Sequence, residues 1–374
     1  MASYVLIGNV LLRGGLKRDW MVAVEDDVIV LSDALSSKRS LDYLNGISGD
    51  KVYNFDKNII APAFIDIHCH SGGGVISHED PRTVMAYHRK NGTGAMLMTM
   101  YRTLGHEVTL EGIAKVKEAM KTDKGILGVH LEGPYLNPAL GTAVAADVPR
   151  PDKTIYGKYL ESGVIKMCTF APELEGTPEL CRDLVAAGTV GAMGHSAATY
   201  DQVHAAVEAG ATVVTHVFNA SEKTEGPISY RGTKNLDFDE ACMLEDGLYY
   251  EVICDRRGIH VRPQMIKLLE KTVGKDRIVG ITDCYGYDTV EETGEDVNID
   301  DQGEISGSRM NMTCVARNFL NLGYSLTDVF GFTSYNPAKA LGVDNILGEI
   351  AEGKRANLII TDEKLSSVRY FEAE

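Results

Sequence analysis

The sequence predicts an α/β protein. Its main body, residues 62–341, is a TIM-like (β/α)8 barrel, and its two ends, 1–61 and 342–374, form a small β-sandwich domain. Three observations predict this. Short apolar runs alternate with helix-like periodic stretches through the middle of the chain. The two ends share a different texture, of strands that alternate apolar and polar residues. Residues able to bind metal or move protons recur at the ends of the apolar runs, where a barrel keeps its working groups.

In chain order, YVLIGNVLL, MVAVEDDVIVLSD and VYNFDKNIIAP read as strands with one solvated face. The closing ILGEIAEGKRANLIITDEKL and VRYFEAE have the same character, so the ends are expected to fold together, with boundaries near Pro62 and Leu341. Between them lie AFIDIH (63–68), GAMLMTM (94–100), GILGVHLEG (125–133), VIKMCTFAPE (164–173), VGAMGHS (190–196), ATVVTHVFNA (211–220), YYEVICD (249–255) and RIVGITDC (277–284). PRTVMAYHRKNG, LEGIAKVKEAMK and TYDQVHAAVEAGA, among the intervening segments, carry helical periodicity. Eight runs alternating with helices fit a closed barrel better than an open sheet.

Composition excludes several classes. The 374 residues are 44% hydrophobic and 24% charged, so the chain is globular and neither disordered, collagen-like nor coiled-coil. Acidic residues outnumber basic ones 53 to 37, a net charge of −16, which repels phosphodiester backbones and argues against nucleic-acid binding. No stretch approaches the roughly 20 apolar residues of a membrane span. The opening MASYVLIGNVLLRGG lacks a basic leader and reads as a strand. Seven scattered cysteines with no Cys-x-x-Cys pair point to reduced thiols and a cytoplasmic location.

The chemistry lies at the run ends. His68 and His70 close the first run, and residues two apart on a strand share a face, so both imidazoles reach one ion. Glu132 closes the third run before a Gly-Pro turn, where a buried carboxylate needs a cation or strong donors. His195, His216 and Asp283 stand at runs five, six and eight. Each alone has a bland reading: a satisfied core histidine, a loop ion pair or a helix cap. Together on one rim, imidazoles and carboxylates in this number suit Zn²⁺ or another divalent first-row metal. Of the other histidines, His78, His88 and His106 are expected at the surface and His204 in packing. His130 is expected to point away from Glu132.

With these residues in place, the sequence resembles the amidohydrolase superfamily and, within it, the N-acetylglucosamine-6-phosphate deacetylase family. The resemblance rests on APAFIDIHCHSGGG, HLEGPYLNP, TFAPE, GHSAATY, THVFNA, CDRRGIH, the ITD strand end and NPAKALG…LGEIAEGKRANLII, in family order along the chain. It implies a divalent metal, Zn²⁺ or alternatively Fe²⁺, Co²⁺ or Mn²⁺, held by Glu132, His195 and His216. It implies a second ion at His68 and His70 where the His-x-His pair is present, and Asp283 as the catalytic aspartate. Asn219, Ala220 and His260 match substrate-binding positions, and Ser306, Gly307 and Ser308 match a loop lining the pocket. The implied reaction is hydrolysis of the acetyl amide of an amino-sugar phosphate, in a homodimer.

Two departures stand out. Ala143 occupies the place of a family histidine that polarises the substrate carbonyl. SEKTEGPISYRGTKN replaces a stretch whose arginine binds phosphate, leaving Lys223, Arg231, Lys234, Arg256 and Arg257 as candidates, with Arg231 the one assigned to substrate. The alternative these departures raise is an amidohydrolase acting on another N-acyl or cyclic amide. A catalytically silent sensor is disfavoured, because no metal ligand is missing.

Overall fold

The structure, a computed structural model, describes residues 3–141, 150–221, 236–300 and 303–373. Strands β1 (Ser3–Leu12), β2 (Gly15–Glu25) and β3 (Val28–Ala34) form an antiparallel meander, and β4 (Val52–Pro62) lies parallel to β1. Alternation sorts their side chains onto two faces. Leu6, Val22, Val24 and Ile60 enter one apolar cluster, while Val5, Met21, Ala23 and Leu31 form another.

From β4 the chain passes at once into the barrel, beginning with β5 (Phe64–Asp66) and a short hairpin, β6 (Ser71–Gly72) and β7 (Val75–Ile76). The remaining barrel strands are β8 (Thr93–Tyr101), β9 (Ile126–Glu132), β10 (Ile165–Phe170), β11 (Val190–Met193), β12 (Ala211–Val214), β13 (Tyr249–Ile253) and β14 (Ile278–Ile281). Each pairs in parallel with its neighbour in the order β14-β13-β12-β11-β10-β9-β8-β5, the eight-stranded barrel sheet the sequence predicted. The strands are apolar almost throughout because both faces are covered, inward by the opposing strands and outward by helices. A hairpin, β15 (Val297–Ile299) and β16 (Ile305–Ser308), follows. Finally β17 (Leu358–Thr361) and β18 (Val368–Tyr370) join β4, completing a six-stranded sheet from both ends of the chain.

No continuous ladder links β5 to β14. The seam is closed just beyond the strand ends. The Asp283 amide donates to the His68 carbonyl at 2.9 Å, and the His70 and Ser71 amides donate to the Cys284 carbonyl at 2.9 and 3.0 Å. Below this, the Thr282 hydroxyl donates to the buried Asp66 carboxylate at 2.6 Å. Burial pushes the Asp66 carboxyl up to about 6, against the opposing pull of His88 and these donors.

The helix Pro81–Lys90 corrects one histidine expectation. Asp80 caps it, accepting from the Arg82 and Thr83 amides, and the helical repeat puts Pro81, Val84, Met85 and His88 on its inner face. His88 is therefore fully buried, and His78 is buried too. His204, expected in packing, is instead exposed beside Glu245. No helix among the described residues is long and apolar enough to cross a membrane.

Candidate metal centre

The C-terminal ends of the barrel strands bring His68, His70, Glu132, His195, His216 and Asp283 together. Glu132, the last residue of β9, sits at the middle. Its Oε1 lies 3.0 Å from His195 Nε2, 3.1 Å from His216 Nε2 and 3.4 Å from His68 Nε2, and its Oε2 lies 3.3 Å from His70 Nε2. Asp283 Oδ1 is 3.4 Å from both His68 Nε2 and His70 Nε2. Two ligand groups result, His68–His70–Asp283 and Glu132–His195–His216, with the Glu132 carboxylate between them.

Local backbone strain aims these side chains. His195, His216 and Asp283 each follow the end of a strand with φ of +48°, +26° and +45°, a left-handed conformation costing a non-glycine residue about 1–2 kcal/mol. Surrounding hydrogen bonds hold them there. Glu173 accepts from the Ser196 hydroxyl and the Ala197 amide just after His195. Asp239 accepts from the Phe218 amide and the Ser221 hydroxyl just after His216.

The donors present fit a cation. His216 Nδ1 lies 3.1 Å from the Asn219 carbonyl, which can only accept, so Nδ1 carries the proton and Nε2 presents a lone pair. That lone pair is 3.0 Å from His195 Nε2, an arrangement that a positive ion between the rings stabilises. His68 Nδ1 is held by the Glu251 carboxylate at 2.9 Å, while its buried Nε2 makes no hydrogen bond. Burial disfavours charge on His68, but Glu251, Asp283 and Glu132 outweigh it and raise its pKa well above the usual value. Burial likewise pushes Glu132 and Asp283 up, and the imidazoles around them hold both below the ordinary carboxylate range. The pocket calls for positive charge at its centre. A third group, Asp66, Cys69 and His88, is already partnered: Asp66 accepts from the Thr282 hydroxyl, Cys69 Sγ lies 3.2 Å from His88 Nε2, and both of these reach the Ser71 carbonyl.

Other expected residues divide. Asn219, Ala220, Ser306 and Gly307 line the cavity above the ligand groups. Gly307 is required there: it has φ +64°, and a Cβ would lie 2.6 Å from the Asp283 carbonyl oxygen. Ser308, expected at the lining, turns inward, where its hydroxyl donates to the Thr282 carbonyl at 2.5 Å and helps hold the barrel seam. His260, expected against the sugar, is buried behind the loop, with its ring nitrogens at 3.2 Å from Asp255 and 3.1 Å from the Gly307 carbonyl. It braces the loop. Arg231, Lys223, Lys234 and Ala143 lie outside the described residues. Arg256 and Arg257 face the Gly294 carbonyl and Glu295, away from the cavity lining.

His130 does not point away from Glu132. Two residues apart on one strand they share a face, and the His130 ring meets His68 edge-on at 4.5 Å between centroids. It is buried, bonded to Thr99 and Thr169, and driven well below its usual pKa by burial and then by His68. Two residues the sequence reading missed also belong here. Glu251 stands inside run seven, and Arg102 stands two residues beyond run two and lines the cavity. Both follow the rule that singled out the ligands, a charged residue in or just after an apolar run.

A family profile described as "Amidohydrolase family" matches residues 59–372. The chain is 30% identical to the N-acetylgalactosamine-6-phosphate deacetylase of Escherichia coli O157:H7 over 342 residues, covering 83% of this chain and 85% of that protein. It is 29% identical to the N-acetylglucosamine-6-phosphate deacetylase of Bacillus subtilis (strain 168), covering 81% and 80%. Among solved structures, a mutant of the Mycobacterium smegmatis N-acetyl-D-glucosamine-6-phosphate deacetylase in complex with N-acetyl-D-glucosamine-6-phosphate superposes with TM-score 0.82 at 28% identity, covering 100% of this chain and 98% of that one.

Proposed function

The chain belongs to the amidohydrolase family, and from that premise we propose that it hydrolyses the acetyl amide of an N-acetylated amino-sugar 6-phosphate, releasing acetate and the amino-sugar phosphate. The observation that carries this reading is the convergence of four imidazoles and two carboxylates on one barrel rim, beneath a cavity lined by Asn219, Ala220, Ser306 and Gly307. Glu132, His195 and His216 would hold one divalent ion, and His68, His70 and Asp283 with Glu132 a second. Imidazole and carboxylate donors suit Zn²⁺ and accept Fe²⁺, Co²⁺ or Mn²⁺. When bound, such ions make water acidic enough to attack at neutral pH and polarise the amide carbonyl.

The chain's own groups supply the proton transfers. Asp283, held as a carboxylate and lining the cavity, accepts the proton of the attacking water. As the water oxygen bonds to the carbonyl carbon, the carbonyl π pair moves onto the acetyl oxygen. When the C–N bond breaks, that pair re-forms the carbonyl and Asp283 returns its proton to the nitrogen, because an amine anion is too poor a leaving group. His130, neutral and bonded to two threonines, fills the space beneath His68 without competing for this proton.

The seven cysteines, all free, support a reducing compartment such as the cytoplasm. The homodimer implied by the resemblance is tested by light scattering. Function is tested by measuring acetate release from N-acetylglucosamine 6-phosphate, its galactosamine epimer and the unphosphorylated sugars. Turnover of one or both phosphorylated sugars, with little of the others, is expected. Turnover of none, with metal bound, overturns the reading.

A further inference from the structure

Arg102 follows β8 and runs through a channel kept open by two glycines. A Cβ on Gly133 would lie 2.7 Å from Arg102 Cβ, and a Cβ on Gly141 would lie 3.6 Å from Arg102 Nη2 and 2.8 Å from His195 Nδ1. The guanidinium therefore ends beside the His195 edge of the ligand group, on the cavity wall. Its Nη1 donates to the Asn137 carbonyl at 3.0 Å, which fixes the head in place. No carboxylate among the described residues forms an ion pair with it. A half-buried guanidinium kept beside a cation site without a carboxylate of its own is costly, and an anionic group arriving with the substrate offsets that cost.

We propose that Arg102 is a catalytic residue whose guanidinium stabilises the negative charge that develops on the acetyl oxygen as water adds to the amide. This rests on the deacetylase reading above. The placement points to the acetyl oxygen, because a Cβ at the Gly141 position would lie 3.6 Å from Arg102 Nη2 and 2.8 Å from His195 Nδ1, which sets the guanidinium beside the group that surrounds Glu132. A fixed donor aimed where charge appears in the transition state acts on kcat more than on KM.

The test compares the metal-loaded wild type with R102A and R102K. Loss of one such donor predicts a fall in kcat of about 10²–10³-fold for R102A, similar for phosphorylated and unphosphorylated N-acetylglucosamine, with unchanged metal content. R102K recovers part of the rate, and guanidinium ion in the buffer rescues R102A in part. A kcat for R102A within about threefold of wild type overturns the proposal. So does a loss confined to KM for the phosphorylated sugar, which would make Arg102 a phosphate anchor. Loss of bound metal in R102A would make it structural and overturn the proposal equally. If wild type turns over no N-acetyl amino sugar, the deacetylase reading fails, and acetate binding then decides the role of Arg102. Calorimetry should give acetate affinity at least tenfold weaker in R102A; equal affinity overturns the proposal.

Discussion

Glu251 offers the sharpest test of the metal centre. One oxygen of this fully buried carboxylate serves two ligand-bearing segments, accepting from His68 Nδ1 at 2.9 Å and from the His216 amide at 3.2 Å. In Glu251→Gln the fold keeps a side chain of the same shape, but the charge is gone. A hydrogen bond to a charged group contributes about 1.5–3 kcal/mol, and a neutral amide retains only part of it. If the amide NH2 turns to His68, the imidazole proton is driven onto Nε2, the atom that must face the ion. At about 1.4 kcal/mol per tenfold, the loss corresponds to roughly 10–100-fold in metal affinity. It falls mainly on the His68–His70–Asp283 position, since Glu251 holds the His68 ring itself but meets His216 only at its backbone amide. The assay is metal per chain after equilibration against a graded chelator, with thermal melting of the metal-free protein to establish that the variant is folded. Wild-type affinity at both positions in a folded Glu251→Gln protein would refute the argument.

Three other predictions follow from the same geometry. Asp283→Asn should keep the ion at Glu132, His195 and His216 while turnover falls by about 10²-fold or more, read by metal analysis beside acetate release; retained turnover would remove Asp283 from proton transfer. Gly141→Ala sets a methyl 2.8 Å from His195 Nδ1 at a backbone φ of +84°, so it should strain the loop by about 1–2 kcal/mol, tilt the ring and release the first ion more readily to chelator. Unchanged retention would show that the loop yields instead. Asp255 accepts from His260 and from the Ile259 and His260 amides, which outweigh burial and hold its pKa down to about 2, against about 3.9 in the unfolded chain. Its stabilisation, ~2 kcal/mol, is complete above about pH 4 and is lost as pH falls toward 2. Urea unfolding should therefore show Asp255→Asn less stable than wild type at pH 6, by a gap that shrinks by pH 3; a gap independent of pH would contradict this.

The barrel was legible because each strand is a short apolar run bounded by turn residues, and the eight parallel pairings follow chain order. The residues that meet on the rim were legible because a charged or imidazole side chain ending such a run has no packing role. What sequence concealed was depth and direction. His88 reads as polar within a helix, yet the repeat that buries Val84 and Met85 buries it as well. Ser308 and His260 sit in site-like motifs but turn toward Thr282 and Asp255, because a loop against the barrel rim must satisfy its own buried polar groups first. Arg102 was concealed because it stands two residues beyond run two, in a polar turn where an arginine is ordinarily a solvated surface group. The two glycines beside it, Gly133 and Gly141, make room for its side chain, which sequence alone does not show.

The seam between β5 and β14 has a further consequence. Hydrogen bonds across it join Asp66 to Thr282, 216 residues away, and directly above them His68 and His70 from one edge face Asp283 from the other. An ion held by these three would therefore be a crosslink closing a loop that spans most of the chain. The entropy of that closure is spent when the barrel forms, so a filled site makes ring opening harder and a closed ring makes the site tighter. Chelation would act on this protein as cutting a hoop acts on a cask, and the earliest amides to exchange should be those of His70, Ser71 and Asp283 along the joint.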